Sequence, residues 1–246
     1  MENKINNICN QIKIYFKSTN AEKAVIGISG GKDSTVAAAL CAKAIGKENV
    51  IGVMMPNGIQ TDIVDSIIVC NFLGIKHVEC NIQDAYNDIM FLTKEALTNI
   101  DKTQISNQTK FNLAPRLRMS MLYAIAQSIN GRVINTSNAC ELFVGYGTLF
   151  GDTAGDLALF KNIKVSDIYK IGDALGLPYD LVHKTPSDGL TGKSDEDVLG
   201  VTYNDIEIYM DGYLSLLTQE KRDRINSLYE NSRFKRQMIS LPTINF

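Results

Sequence analysis

The chain reads as an α/β protein built on a doubly wound parallel sheet with helices on both faces. Three observations carry that reading. Short apolar runs begin near residues 25, 50, 76 and 132. Each adjoins a stretch whose apolar side chains recur at helical spacing, the alternation expected of parallel α/β folds. The densest turn-forming cluster falls at the first strand-to-helix junction, beside the sheet edge where such folds gather ligands.

Taken in order, residues 23–28 form the first strand, and an alanine-rich helix runs from 34 to about 44. Residues 50–54 are the second strand. The helix over 62–73 places Ile63, Val64, Ile67, Ile68 and Phe72 on one face. A third, more mixed strand covers 76–82, and a helix starts near Asp84. The long helix over 112–130 repeats Leu113, Leu117, Met121, Ile125 and Ile129, and 132–135 is the fourth strand. Core packing explains these stripes. Glycine-rich 141–161 resists assignment, 165–175 and 220–232 read as helices, and 185–200 reads as a polar loop. No repeat, low-complexity tract or long linker divides the chain, so residues 1–246 are expected to form one domain.

Composition excludes several functions. A chain of 246 residues, 45% hydrophobic, buries roughly 70–75% of its unfolded surface and needs no disulfides for a core. With 25 basic and 27 acidic side chains there is no basic footprint for nucleic acid. No apolar run reaches the roughly 20 residues of a membrane span, and the polar start is unlike a signal peptide. Cys9, Cys41, Cys70, Cys80 and Cys140 are odd in number and lack a CxxC pair, so they read as reduced thiols of a cytoplasmic protein. His77 and His183 are the only histidines, too few for a His-rich metal site.

The chemistry concentrates in Gly27-Ile28-Ser29-Gly30-Gly31-Lys32-Asp33-Ser34. Glycines let a backbone approach a phosphate, and the following helix offers unpaired N–H groups and a favourable dipole. Ser29 and Ser34 add hydroxyls and Lys32 adds charge. Asp33 supplies an oxygen for Mg²⁺ on the same phosphates. The pattern is neither Walker A nor the G-x-G-x-x-G fingerprint. A plain βα turn with Asp33 or Ser34 as the helix cap is the simpler alternative.

The segment from Ser29 to Ser34 resembles the pyrophosphate loop of the ATP pyrophosphatase superfamily, whose members cleave ATP between its α and β phosphates to adenylate a substrate. Further segments narrow the resemblance to NAD synthetases. Asn112-Leu113-Ala114-Pro115-Arg116-Leu117-Arg118-Met119 is similar to their N-x-x-A-R-x-R-M helix, with Pro115 where alanine is usual. Thr136 to Glu141, the loop from Gly151 to Asp156, and Pro186-Ser187 with Leu190 follow in family order. So do Asp195-Glu196, Leu199-Gly200 and Tyr203, which match D-E-x-x-L-G-x-x-Y. Phe234-Lys235-Arg236 stands where His-Lys-Arg is usual.

The resemblance implies an adenine nucleotide alpha-hydrolase-like fold and an ammonia-dependent ligase. ATP adenylates the nicotinate carboxylate of deamido-NAD, and ammonia displaces AMP to give NAD. It implies ATP contacts from Gly27, Ile28, Ser29, Gly30, Gly31, Lys32, Asp33, Ser34, Arg118, Thr136 and Ser187. Lys164, or Lys161 one helical turn earlier, is expected to replace the family's phosphate lysine, because Val165 occupies the aligned position. Deamido-NAD contacts fall to Arg116, Tyr123, Asp156, Phe234 and Lys235, with Phe234 supplying packing only. Arg116 and Arg118, two apart on a helix, point in different directions, one to ATP and one to a second ligand or subunit. Asp33 and Glu141 would hold Mg²⁺. Asp152 joins Lys32 as a catalytic group, attracting ammonium and accepting its proton.

The resemblance further implies a homodimer with deamido-NAD sites at the subunit interface. Residues 112–130, with Tyr123, lie either there or in the core. Glutamine-using relatives carry a separate amidohydrolase domain, for which the start of this chain leaves no room, so free ammonia or a partner glutaminase would deliver the nitrogen. Two other functions use the same loop. A tRNA-modifying synthetase would want a basic surface or a cysteine pair, and a non-catalytic nucleotide-binding regulator would retain the pocket without turnover.

Overall fold

The apolar side chains of the central strands alternate between two layers. Ala24 and Ile26 pack into one core, and Val25 joins Val53 and Val133 in another. That is the period of two expected of a sheet buried on both faces. In the computed structural model, which describes residues 1–60, 63–102, 104–183, 194–238 and 243–244, the strands are β1 (Lys23–Gly27), β2 (Val50–Met54), β3 (Lys76–Glu79), β4 (Gly131–Asn135) and β5 (Leu157–Ala158). They form one sheet in the order β3-β2-β1-β4-β5, and every pairing is parallel.

The helices follow as α1 (Glu2–Ser18), α2 (Lys32–Ile45), α3 (Ile63–Leu73), α4 (Gln83–Thr98), α5 (Asn107–Ser128) and α6 (Ala139–Val144). After β5 come α7 (Val165–Ala174), α8 (Tyr179–Val182), α9 (Asp195–Leu199), α10 (Tyr203–Met210), α11 (Gln219–Asn231) and α12 (Arg233–Met238). The larger core gathers α1, α2 and α7 against one face of the sheet. On the other face Ala114, Met119, Leu122 and Ala126 of α5 cover Val25, Val53 and Val133. A third cluster joins α6 to α9, α10 and α11.

The chain winds from β1 out to β3, then returns to place β4 on the opposite side of β1. The strand order therefore reverses between β1 and β4, and a crevice opens beyond their carboxyl ends. The loops after Gly27 and after Asn135 flank that crevice.

Several sequence expectations need correction. Residues 62–73 do form a helix from 63 onward, but Val64, Ile68 and Phe72 are exposed while Ser66, Val69 and Cys70 are buried. Apolar residues occur all around α3, so of the expected stripe only Ile63 and Ile67 pack, partly buried, against the core. On α5 the buried positions are Ala114, Met119, Leu122 and Ala126. The expected stripe through Leu117, Met121 and Ile125 is only partly buried beside them. Residues 195–199 of the expected polar loop are α9, started by a capping box in which Ser194 and Asp197 bond each other's backbone N–H. Glycine-rich 141–161 contains most of α6 and all of β5. No described helix is long and apolar enough to cross a membrane.

Candidate active site

The glycine loop is shaped by its own hydroxyls. Ser29 Oγ lies 3.2 Å from Ser34 Oγ and accepts from Gly31 N at 3.3 Å. Ser34 Oγ and Thr35 Oγ1 donate to Gly31 O at 3.1 and 2.8 Å. Gly30 has φ +77°, and a Cβ there would lie 2.8 Å from Asp65 Cβ, so only glycine fits. Gly31 is the N-cap of α2 and brings no capping side chain, which leaves the first-turn N–H groups open to an anion.

Lys32, the first residue of α2, is buried, with Nζ 2.9 Å from Asp33 Oδ2. Burial alone would lower its pKa, but the charges of Asp33 and Glu141 outweigh that and hold it above the ordinary lysine value. Glu141 arrives from α6, whose N-cap is Asn138. Asn138 Oδ1 accepts from Glu141 N at 3.0 Å, and Glu141 Oε2 accepts from Asn138 N at 3.0 Å. The same asparagine points Nδ2 at Asp33 Oδ1, 3.4 Å away. One capping box therefore brings two carboxylates from distant segments together. Burial first, and Asp33's charge second, push the Glu141 carboxyl well above its usual range. A pair of that kind is relieved by a cation.

On the other wall Asn135 Nδ2 donates to the carbonyls of Asp152 and Ala154 at 2.7 and 3.0 Å, and Ser137 Oγ donates to Asp152 O at 3.1 Å. The Asp152 carboxylate accepts from Thr148 N. Protein encircles it, yet it keeps solvent access through the cavity, where its side chain is exposed. Burial raises its pKa, with the Thr148 hydrogen bond and the Lys235 charge pulling the other way. Lys235 Nζ donates to Gly145 O and Gly147 O at 2.8 and 2.6 Å, and burial lowers its pKa against the pull of Asp152.

These groups line one cavity of about 670 Å³ at the reversal point of the sheet, a size suited to nucleotide ligands. All eight loop residues, Gly27 to Ser34, face it, as do Arg118, Thr136, Glu141, Asp152 and Lys235. Arg118 and Arg116 diverge as their spacing predicts. Arg118 Nε donates to Met55 O at 2.9 Å in the cavity wall, and exposed Arg116 donates to Leu149 O at 3.2 Å outside it.

Other expected residues lie elsewhere. Lys164 is ion-paired with Asp211 and, with Lys161, lines a second cavity of about 460 Å³ that shares Glu141 and Lys235 with the first. Tyr123, on α5, packs partly buried against the second core near Tyr15 and Asp156. Asp156 is committed to the sheet, where its Oδ2 accepts from Val133 N at 2.8 Å. Phe234 is exposed. Ser187 lies outside the described residues.

Sequence reasoning missed Asn135, Asn138, Tyr146, Thr148 and Asp195, all of which line or brace the cavity. Asn138 and Asp195 sit inside the quoted motifs, so the motif was the available signal. Tyr146 and Thr148 had none.

Comparison with known proteins follows the same lines. The family profile described as NAD synthase matches residues 4–239. The NH(3)-dependent NAD(+) synthetase of Thermococcus sibiricus is 39% identical over 193 residues, covering 78% of this chain and 73% of that protein. Among solved structures, the NMN synthetase from Francisella tularensis superposes with a TM-score of 0.87 at 35% identity, over 100% of this chain and 98% of that one. The NH3-dependent NAD synthetase from Campylobacter jejuni gives 0.78 at 26% identity, over 98% of both chains.

Proposed function

Because the chain belongs to the NAD synthase family, we propose that its main cavity is the active site of an ammonia-dependent NAD synthetase. The observation that carries this is the meeting of Lys32, Asp33, Glu141 and Asp152, from three separate segments, around one cavity next to an uncapped helix N-terminus.

A carboxylate resists attack by ammonia because it lacks a leaving group. The loop N–H groups and Lys32 hold the triphosphate of ATP so that the nicotinate carboxylate of deamido-NAD attacks the α-phosphorus. The new O–P bond forms, the bond to the β-phosphate oxygen breaks, and pyrophosphate leaves into a field of N–H donors and a buried ammonium. Ammonia then adds to the acyl carbon, the acyl C–O bond to the phosphate breaks, AMP departs, and the added nitrogen loses its extra proton to water. Asp152 accepts the proton released as ammonium becomes ammonia. Arg118 and Thr136 are assigned to ATP and Lys235 to the second substrate.

Mg²⁺ suits the donor set. Asp33 and Glu141 present hard oxygen ligands, although Glu141 spends Oε2 on Asn138 N. No cluster of three or more His, Cys, Asp or Glu side chains occurs among the described residues, so phosphate oxygens and water must complete the shell. That is how Mg²⁺ usually binds. When bound it neutralises phosphate charge at the departing pyrophosphate.

The enzyme is assigned to the cytoplasm, in keeping with five unpaired cysteines. We assign it as a homodimer, supplied by free ammonia or a separate glutaminase. Helix α4 buries no residue and exposes Phe91 and Leu92 at 61% and 59%, which leaves an apolar surface for a second copy.

One observation favours a second reading of the substrate. The solved structure with the higher of the two TM-scores above is an NMN synthetase, which points to a mononucleotide in place of the dinucleotide. Incubating the protein with ATP, Mg²⁺ and ammonium chloride, plus deamido-NAD or nicotinate mononucleotide in parallel, separates the two. NAD and AMP from the first establish the main reading, NMN and AMP from the second establish the alternative, and AMP from neither overturns the adenylating function.

A further inference from the structure

The motif Asp195-Glu196 to Tyr203 has no part in the chemistry above, yet its two ends close on each other beside Lys32. Asp195 is buried, and its carboxylate accepts from Tyr203 Oη at 3.1 Å and from Tyr146 Oη at 3.0 Å. Glu196 Oε1 accepts from Tyr203 N at 2.8 Å. Gly200, at φ +73°, ends α9 in the left-handed conformation, and buried Leu199 anchors that turn. Each fixed letter of the motif thus helps to set the position of Tyr203.

Tyr203 in turn faces Lys32. Its ring centroid lies 5.1 Å from Lys32 Nζ, and the ring of Tyr169 lies 5.9 Å away. The Tyr169 ring is itself stacked on His183 at 4.9 Å. Both aromatic distances are within the range of cation–π attraction. A lysine has a flexible four-carbon stem, so a buried ammonium needs neighbours that fix its direction. Asp33 cannot do this alone while it also serves a metal. The rings supply attraction that competes with neither phosphate nor Mg²⁺.

We propose that Asp195 is a positioning residue for Lys32. By binding the hydroxyls of Tyr203 and Tyr146 at once, it holds the Tyr203 ring against the ammonium and keeps Lys32 aimed at phosphates on the loop. This rests on the adenylating function proposed above, and it gives Asp195, at the wall of the same cavity, a role that acts through Lys32.

Two variants test it. Asp195→Asn can no longer accept from both phenols, and Tyr203→Phe keeps the ring but loses the hydroxyl. The Lys32 side-chain signal is followed by NMR in lysine-labelled protein without nucleotide, and is assigned by its loss in Lys32→Met. MgATP affinity is measured by calorimetry without a second substrate. Each variant is expected to move the Lys32 signal toward that of an ordinary lysine and to weaken MgATP binding roughly 5–30-fold. The double variant should be no worse than either single one, since both act through one contact. An unmoved Lys32 signal with wild-type affinity in both variants overturns the proposal, as does an additive double variant. A wild type that binds no MgATP overturns the adenylating function instead, and the Lys32 signal still decides whether Asp195 holds that lysine.

Discussion

At the scale of single residues the proposed site divides into groups assigned to adenylation and groups assigned to amidation, and the two should separate on mutation. Asp33→Asn keeps the shape of the side chain but removes the charge that faces Glu141, so pyrophosphate release should fall about 100-fold or more. Release near the wild-type rate would show that Asp33 is not a metal ligand. Asp152→Asn should leave pyrophosphate release intact while amide formation falls about 10²–10⁴-fold, the usual worth of a positioned base. Its pH dependence has a definite sign. Burial raises the Asp152 pKa, so the proton-accepting form appears at higher pH than for an ordinary aspartate. The acid limb of amidation should therefore lie above that of an ordinary aspartate and vanish in the variant. The same shift costs stability once pH rises above the unfolded pKa, because folding then opposes ionisation, and the cost is complete above the folded pKa. Asp152→Asn should accordingly melt at a higher temperature at neutral pH. An unchanged or lower melting temperature would show that the carboxylate is not held against its preference. The loop candidates Gly27 to Ser34 were legible because glycines, a strand end and a helix start announce a phosphate loop, whereas Asp152 was marked only by the family resemblance. The Asp195 contact with Tyr146 was not legible, since it spans 49 residues and neither partner advertises the other.

At the scale of elements, three of the four expected strands are the short buried apolar runs of a parallel sheet, while β3, the edge strand Lys76–Glu79, is largely exposed and was marked by its place in the strand–helix rhythm. Helix faces were harder to read. The partly misread face of α3 shows why: when Ile63, Val64, Ile67, Ile68, Val69 and Phe72 surround a helix, only the neighbours decide what is buried. The N-terminal α1 escaped notice among polar residues, although Ile5, Ile8, Ile12 and Phe16 bury one face. Two substitutions test element-level claims. Pro115 lies inside α5, where it has no N–H for the preceding turn. Pro115→Ala should stabilise the protein by about 1–2 kcal/mol, the helix gain less the entropy that proline removes from the unfolded chain. Lower thermal stability would mean that the ring's contact with the Gly151 loop outweighs the missing hydrogen bond. Gly30→Ala should cost about 1–3 kcal/mol and most of the ATP affinity, through a left-handed backbone and a clash with Asp65. Normal ATP binding in that variant would mean that the loop has another workable conformation.

At the scale of the whole molecule, the sheet protects one face of α5, and α4 lies outside it with nothing buried. Sequence left residues 112–130 between core and interface, and the structure puts four of them in the core. Ala114, Met119, Leu122 and Ala126 serve the core, while the neighbouring α4 leaves Phe91 and Leu92 exposed. Exposed aromatic and aliphatic side chains on one helix suit a two-fold contact, in which each copy presents the same patch. A stable dimer needs about 1,200–2,000 Å² buried in total, and a pair of charges at its centre should prevent that. Phe91→Glu combined with Leu92→Glu is therefore expected to yield a monomer by light scattering at micromolar concentration, with helical content unchanged. Tyr123 and Asp156 lie away from the loop cavity. If the far half of a dinucleotide reaches across the interface, the monomer should show a raised KM for deamido-NAD with MgATP affinity preserved. Val64, Ile68 and Phe72 on α3 are also exposed and provide the rival surface. A dimer that survives the α4 substitutions but dissociates with Phe72→Glu would move the interface to α3. Loss of MgATP affinity together with dimerisation would show instead that the loop site depends on the second copy.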